Sequence, residues 1–190
     1  IEHNPKKEII NYKNALLKVY DIPVMYFPKF FHPDPTVKRK SGFLIPTIKN
    51  SANTTNYFSI PYFSVLSQNK DLTFTPRLYS NTDFLLQTEY RQENKESSHI
   101  TDFSLFNQKG DSKSHFFYKY SKFIEFANFD EGNINLKIEK TSNDTYLRKS
   151  KLSSPIFRSL NVLENTFGIN LSSDKFSLDT EFKVYEDLDK

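Results

Sequence analysis

From residue 41 onward the chain changes character every second residue. Leu72, Phe74, Pro76 and Leu78 fall on one face of an extended backbone, with Asp71, Thr73, Thr75 and Arg77 on the other. Phe84, Leu86, Thr88 and Tyr90 oppose Asp83, Gln87, Glu89 and Arg91, with Leu85 out of place among the polar residues. Ile134, Leu136 and Ile138 oppose Asn133, Asn135, Lys137 and Glu139. Leu163, Phe167, Ile169 and Leu171 oppose Glu164, Thr166, Gly168, Asn170 and Ser172. Phe176, Leu178, Phe182 and Val184 oppose Ser177, Asp179, Glu181 and Lys183. Successive side chains of a strand point to opposite faces, so this period predicts strands with one apolar and one polar face. Polar breaks at 67–70, 80–82, 92–98, 107–113, 141–145 and 152–155 separate them. The result is about eight or nine strands of roughly ten residues, a length suited to tilted membrane-crossing strands. The shortest breaks suit antiparallel hairpins.

Upstream, residues 1–40 read as the last strands of an extended β-domain followed by a linker. The segment 9–20 is rich in strand formers, and a helix competes for 15–20. Pro23, Pro28, Pro33 and Pro35 exclude a long helix afterwards, because each removes an amide donor and constrains the residue before it. His32-Pro-Asp-Pro35 is a stiff connector. The predicted division is 1–37 and 38–190. Pro46 and Pro61 stand inside segments that otherwise read as strands. Proline brings no N–H to a ladder and is confined to edges, strand starts and bulges. Two of them in consecutive strands mark either a sheet boundary held weakly or a pair of edge prolines that limit aggregation.

Composition narrows the classes. The chain has 190 residues, begins at Ile1 and contains a single Met, Met25, so it reads as an excerpt of a longer protein. No run of apolar residues is long enough for a transmembrane helix, which leaves a membrane barrel open. The mean hydropathy of -0.62 is low. Against disorder, aromatic residues make up 16% and are spread along the whole chain. The 26 basic and 23 acidic residues leave a net charge of +3, without the basic tract that nucleic acid would need. There is no cysteine, hence neither a disulfide nor a thiolate metal site. His3, His32, His99 and His115 are scattered, with no paired metal-ligand spacing. The four glycines form no phosphate loop, and Ser41-Gly42 is no nucleophile elbow. No enzyme, cofactor or metal site is predicted. The alternation serves a soluble β-sandwich as well as a barrel, and among all-β chains the sandwich is the commoner architecture.

An ordered set of motifs reverses that preference. Lys38/Arg39, the run Ser41-Gly-Phe-Leu-Ile-Pro46, Pro61-Tyr-Phe63, Asp71-Leu-Thr-Phe-Thr-Pro76 and Glu89-Tyr-Arg91 follow one another. Together with 21–34 and Glu139-Lys-Thr-Ser-Asn-Asp-Thr-Tyr146, this resembles the outer-membrane lipopolysaccharide-assembly family LptD. The resemblance implies an all-β fragment holding the end of a periplasmic β-jellyroll, then N-terminal antiparallel strands of a large outer-membrane β-barrel. It implies residence in the cell outer membrane, with residues near the N-terminus periplasmic. It implies lipopolysaccharide as cargo inserted into the outer leaflet, outer-membrane lipid as surroundings, a plug lipoprotein LptE, and a periplasmic bridge protein LptA. The family often carries disulfides, for which this chain supplies no cysteine. Alternatives are another outer-membrane pore and a soluble all-β binding module.

On this resemblance Pro46 and Pro61 would belong to a lateral gate, a seam that opens towards lipid. Val24, Tyr26 and Phe30, with Phe27 and Phe31 around them, are candidates for an apolar path taken by acyl chains, the alternative being ordinary domain packing. Lys38, Arg39 and Lys40 are candidates for contact with lipid phosphates, the alternative being a charge cluster at the barrel rim. Arg77, Arg91 and Lys137, among Asp71, Asp83, Glu89 and Glu139, read as ion-paired lumen residues.

Overall fold

Among the described residues of this computed structural model, every strand pairing is antiparallel. The structure describes residues 2–4, 9–19, 21–33, 39–51, 54–108, 110–126 and 129–189. The chain divides into two units, Ile1–Gly42 and Phe43–Lys190.

The first unit is a three-stranded sheet, β1 (Glu2–Asn4), β2 (Ile9–Val19) and β3 (Ile22–Pro33), in that order. Residues 15–19, for which a helix competed, lie on β2. Asp21, at φ 61°, leads into β3. Asn14, at φ 55°, stands opposite Pro28, between the pairs Lys13↔Lys29 and Ala15↔Phe27. Asn and Asp tolerate this left-handed backbone better than other non-glycine residues.

The second unit is built on an eleven-stranded sheet. Its strands are β4 (Gly42–Phe43), β5 (Thr47–Ser51), β6 (Thr54–Ser59), β7 (Tyr62–Ser67), β8 (Lys70–Tyr79), β9 (Phe84–Glu93), β10 (Ser97–Gln108), β11 (Asp111–Phe123), β12 (Glu131–Thr141), β13 (Val162–Ser172) and β14 (Ser177–Asp187). From β8 to β14 each strand pairs with the next in a meander. Strands run further into the polar breaks than side-chain polarity suggests: β9 reaches Glu93, and β11 begins at Asp111. Ladder bonds are made by backbone groups, so a polar side chain does not end a strand.

Register makes the alternation continuous from strand to strand. Phe74, Thr88, Phe103 and Phe116 form one row across β8–β11. Leu136, Phe167 and Phe182 form another across β12–β14. Much of this apolar face is exposed, from 36% at Phe74 to 66% at Phe182 with Leu78, Leu105, Phe116 and Leu178 in between, while Leu72, Leu86 and Leu136 are half-buried and Leu171 is buried. The polar face carries the cover instead. A short helix, α1 (Tyr146–Ser150), interrupts the strand pattern between β12 and β13. Tyr146 and Leu147 of α1, with Leu152 and Ile156 after it, pack on Leu85, Phe106 and Phe117 of the sheet. Leu85, the residue out of alternation, is fully buried there. One turn of helix is too short to show a 3.6-residue period, which is why the sequence pattern passes over α1.

Candidate functional site

The two flagged prolines lie where strands are interrupted. β6 and β7 are halves of one strand, since both pair with β8 in a single register, Ser59↔Arg77 on one side and Tyr62↔Phe74 on the other. Ile60 and Pro61 fill the gap and face Pro76 and Thr75. β4 and β5 flank a second interruption at 44–46. Across it the Leu44 N–H donates to the Pro61 carbonyl at 2.8 Å, and pairing resumes at Thr47↔Ser59. Continuing that register sets Pro46 opposite Ile60. Pro46 and Pro76 therefore stand in one row across consecutive strands, with Pro61 one residue along from it, each lacking the donor a ladder needs. β8 itself continues through Pro76, which stays in register with Leu86 of β9.

Pro76 was not singled out from sequence, because its strand is otherwise regular and its place in the row depends on register. All three prolines are half-buried, and the residue before Pro46, Ile45, is 86% exposed. Beside it, the exposed Phe43 ring meets Tyr62 edge-on at 5.1 Å.

The other predicted residues are not gathered here. Tyr26 is exposed on β3, and its hydroxyl donates to Asn14 Oδ1 at 2.6 Å. Val24 and Phe30 lie on the same strand, with side chains outside those described. Lys38 lies outside the described residues. Arg39 is exposed, Lys40 is half-buried, and both already interact with other groups.

The polar face holds ion pairs and a buried tie. Arg91 Nε lies 2.8 Å from Asp71 Oδ1 and 3.4 Å from Glu89 Oε1. Lys137 Nζ lies 2.8 Å from both Glu139 and Glu164. Arg77 does something else. Its Nη1 donates to the Ser150 carbonyl at 2.9 Å, and its guanidinium sits 5.0 Å from the centre of the Tyr57 ring. Gln87 Nε2 bonds both Asp102 oxygens at 3.0 Å and the Ser153 carbonyl at 2.9 Å. These contacts tie α1 and the residues after it to the sheet.

The sequence reading missed one cluster. Register brings Ser104 on β10 opposite His115 on β11. Ser104 Oγ lies 2.6 Å from His115 Nδ1 and 2.5 Å from the Tyr146 hydroxyl, while His115 Nε2 is 3.3 Å from Asp102 Oδ1. That last contact is close enough for charge pairing but makes no hydrogen bond. A serine, a histidine and an aspartate in contact suggest nucleophilic catalysis. A nucleophile must reach a substrate, however, and Ser104, His115 and Asp102 are all at most 1% exposed beneath α1. The cluster is a structural tie that holds Tyr146. Burial pushes the Tyr146 phenol up to about 12, against the Ser104 hydrogen bond, which lowers it.

The family model described as "LptD protein" matches residues 10–125. The LPS-assembly protein LptD of Pseudoalteromonas atlantica is 28% identical over 178 residues, covering 92% of this chain and 23% of that protein. Its namesake from Francisella tularensis subsp. novicida is 31% identical over 169 residues, 85% of this chain and 18% of that protein. The one from Shewanella oneidensis is 41% identical over 93 residues, 48% of this chain and 12% of that protein. The chain thus spans less than a quarter of the length of these curated relatives.

Proposed function

This chain belongs to the LptD family, and from that premise we propose that it is part of an outer-membrane machine that assembles lipopolysaccharide into the outer leaflet. Residues 1–37 would be the end of a periplasmic jellyroll with its linker, and 38–190 the N-terminal strands of the transmembrane barrel. The observation that carries this reading is the inverted sheet. In a soluble sandwich two apolar faces pack on one another and polar faces meet water. Here much of the apolar face from Phe74 to Phe182 is exposed, and the polar face is the one covered by α1. Exposing apolar area to water costs roughly 25 cal/mol per Å², a cost that vanishes when lipid is the neighbour. A barrel wall with a lipid side and a lumen side fits this arrangement.

The work is passage rather than chemistry. Lipopolysaccharide would arrive from the bridge protein LptA. Its acyl chains would follow the apolar jellyroll, past Val24, Tyr26 and Phe30, and leave through the seam. Its sugars would cross the polar lumen, where the plug lipoprotein LptE sits. Lys38, Arg39 and Lys40 would meet lipid phosphates at the entrance. The prolines give the seam its physical basis. Each missing donor forgoes a hydrogen bond worth about 0.5–1.5 kcal/mol net, and the interruptions at 44–46 and 60–61 share one level. The first strands would therefore part more easily than an unbroken ladder.

A photo-crosslinking residue at Thr47, in the full-length parent protein in cells, tests this. The expected result is a lipopolysaccharide adduct that disappears when LptA is depleted, with slower export in the Pro46→Ala/Pro61→Ala variant. No adduct at any of positions 45–49 in a normally inserted barrel, with unchanged export in the double variant, would reduce both prolines to edge residues.

A further inference from the structure

At the end of the sheet where β8 turns into β9 and β10 into β11, the polar face opens into a cleft of ≈ 290 Å³. Lys49 of β5, Lys113 of β11, Arg148 and Lys149 of α1, and Lys151 just after it line this cleft, with Asp83 as the one carboxylate among the described residues. Two of the cations are engaged. Arg148 pairs with Asp189 and donates to the Leu188 carbonyl. Lys113 lies 3.6 Å from Asp111 and donates to Gln108 Oε1. Asp83 accepts from Asn81 and Gln108, so it is occupied as well. That leaves Lys49, Lys149 and Lys151 with no carboxylate partner among the described residues, facing one space. The Tyr79 hydroxyl, in the same wall, is buried beside the Arg77 side chain.

Like charges gathered in one cleft repel, and a bound anion would remove that penalty. It must be an anion of high charge density that accepts several hydrogen bonds, which describes a phosphate monoester. The rings of Tyr57 and Tyr79 beside the lysines add apolar surface of the kind a sugar ring packs against. We propose that this cleft binds a phosphorylated sugar, the phosphate-bearing headgroup of the transported lipid on its way along the polar face. The inference rests on the transport reading above and adds to it a defined station, away from the seam and from Lys38, Arg39 and Lys40.

Two measurements on the full-length parent protein test it. In the purified protein with its plug partner, lysine acylation read by mass spectrometry reports on access to Lys49, Lys149 and Lys151. Glucosamine 6-phosphate is expected to protect them, and unphosphorylated glucosamine is not. Equal protection by inorganic phosphate would make the cleft a general anion site and overturn the sugar assignment; no protection by any probe would overturn the site. In cells, a photo-crosslinker at Lys149 is expected to capture lipopolysaccharide. Lys49→Gln with Lys151→Gln should cut that adduct about fivefold or more, as loss of two charge-assisted contacts implies, while Lys49→Arg with Lys151→Arg keeps it. An adduct at Thr47 with none at Lys149 sinks the cleft alone. No adduct at either position sinks the transport reading as well.

Discussion

Leu85 and Tyr146 show how much single residues carry. Leu85 violates the alternation of β9, and it does so because it meets α1 rather than an open lumen. Tyr146 belongs to the same buried cluster, and its hydroxyl is tied to Ser104. The raised phenol pKa has a definite consequence. An unfolded tyrosine loses its proton near its ordinary value of 10.0, whereas burial holds the proton on Tyr146 up to about 12. The folded state therefore binds more protons in that interval, and stability falls as pH rises through it. The contribution of the buried phenol is complete below pH 10 and is lost towards pH 12. The check is an ultraviolet tyrosinate titration of the intact protein against Tyr146→Phe. Their difference should show one ionisation near 12, and a difference centred at the ordinary value would mean that α1 does not seal the site.

α1 and the residues after it act as a unit. Helices of one turn have almost no stability of their own, so tertiary contacts must hold this one. Arg77 holds the Ser150 carbonyl and Gln87 the Ser153 carbonyl, from β8 and β9. Arg77→Ala with Gln87→Ala removes both. At about 0.5–1.5 kcal/mol for each bond, amide exchange across 146–157 should quicken by roughly tenfold, with the β12 and β13 ladders unchanged. Uniform acceleration through those strands would show that the whole sheet, not the cover, depends on the two side chains. The strands at the proline row follow another logic. Their interruptions are built into the covalent chain, since no side-chain rearrangement supplies a missing amide hydrogen.

Across the second unit the two faces of the sheet differ in what they can tolerate. A lysine near the middle of a lipid-facing strand costs about 2–4 kcal/mol, whereas a lumen-facing lysine meets water. Phe103→Lys with Phe116→Lys lies in one row of the apolar face. Thr75→Lys lies on the polar face beside Arg77. The first variant should fail to reach the assembled, heat-modifiable form in the outer membrane, and the second should reach it. The opposite result, with Phe103 and Phe116 replaceable, would mean that this face meets water and would return the sandwich as the better architecture.

What the sequence determined by itself is local. A period of two sets which side chains share a strand face, because the pleat turns every residue by half a revolution. Proline removes a donor wherever it stands, so a weakness at Pro46 and Pro61 was legible before any pairing was known. The tertiary structure decided everything that depends on which residue lies opposite which. Register set Pro76 in the row of Pro46 and one residue from that of Pro61, brought Ser104 to His115, and turned Arg77 from an expected ion-pair partner into an anchor for Ser150. It also placed α1 on the polar face, which explains Leu85 and gathers Lys49, Lys149 and Lys151 around one cleft. These relations join residues far apart in the chain, and no pattern of short period encodes them.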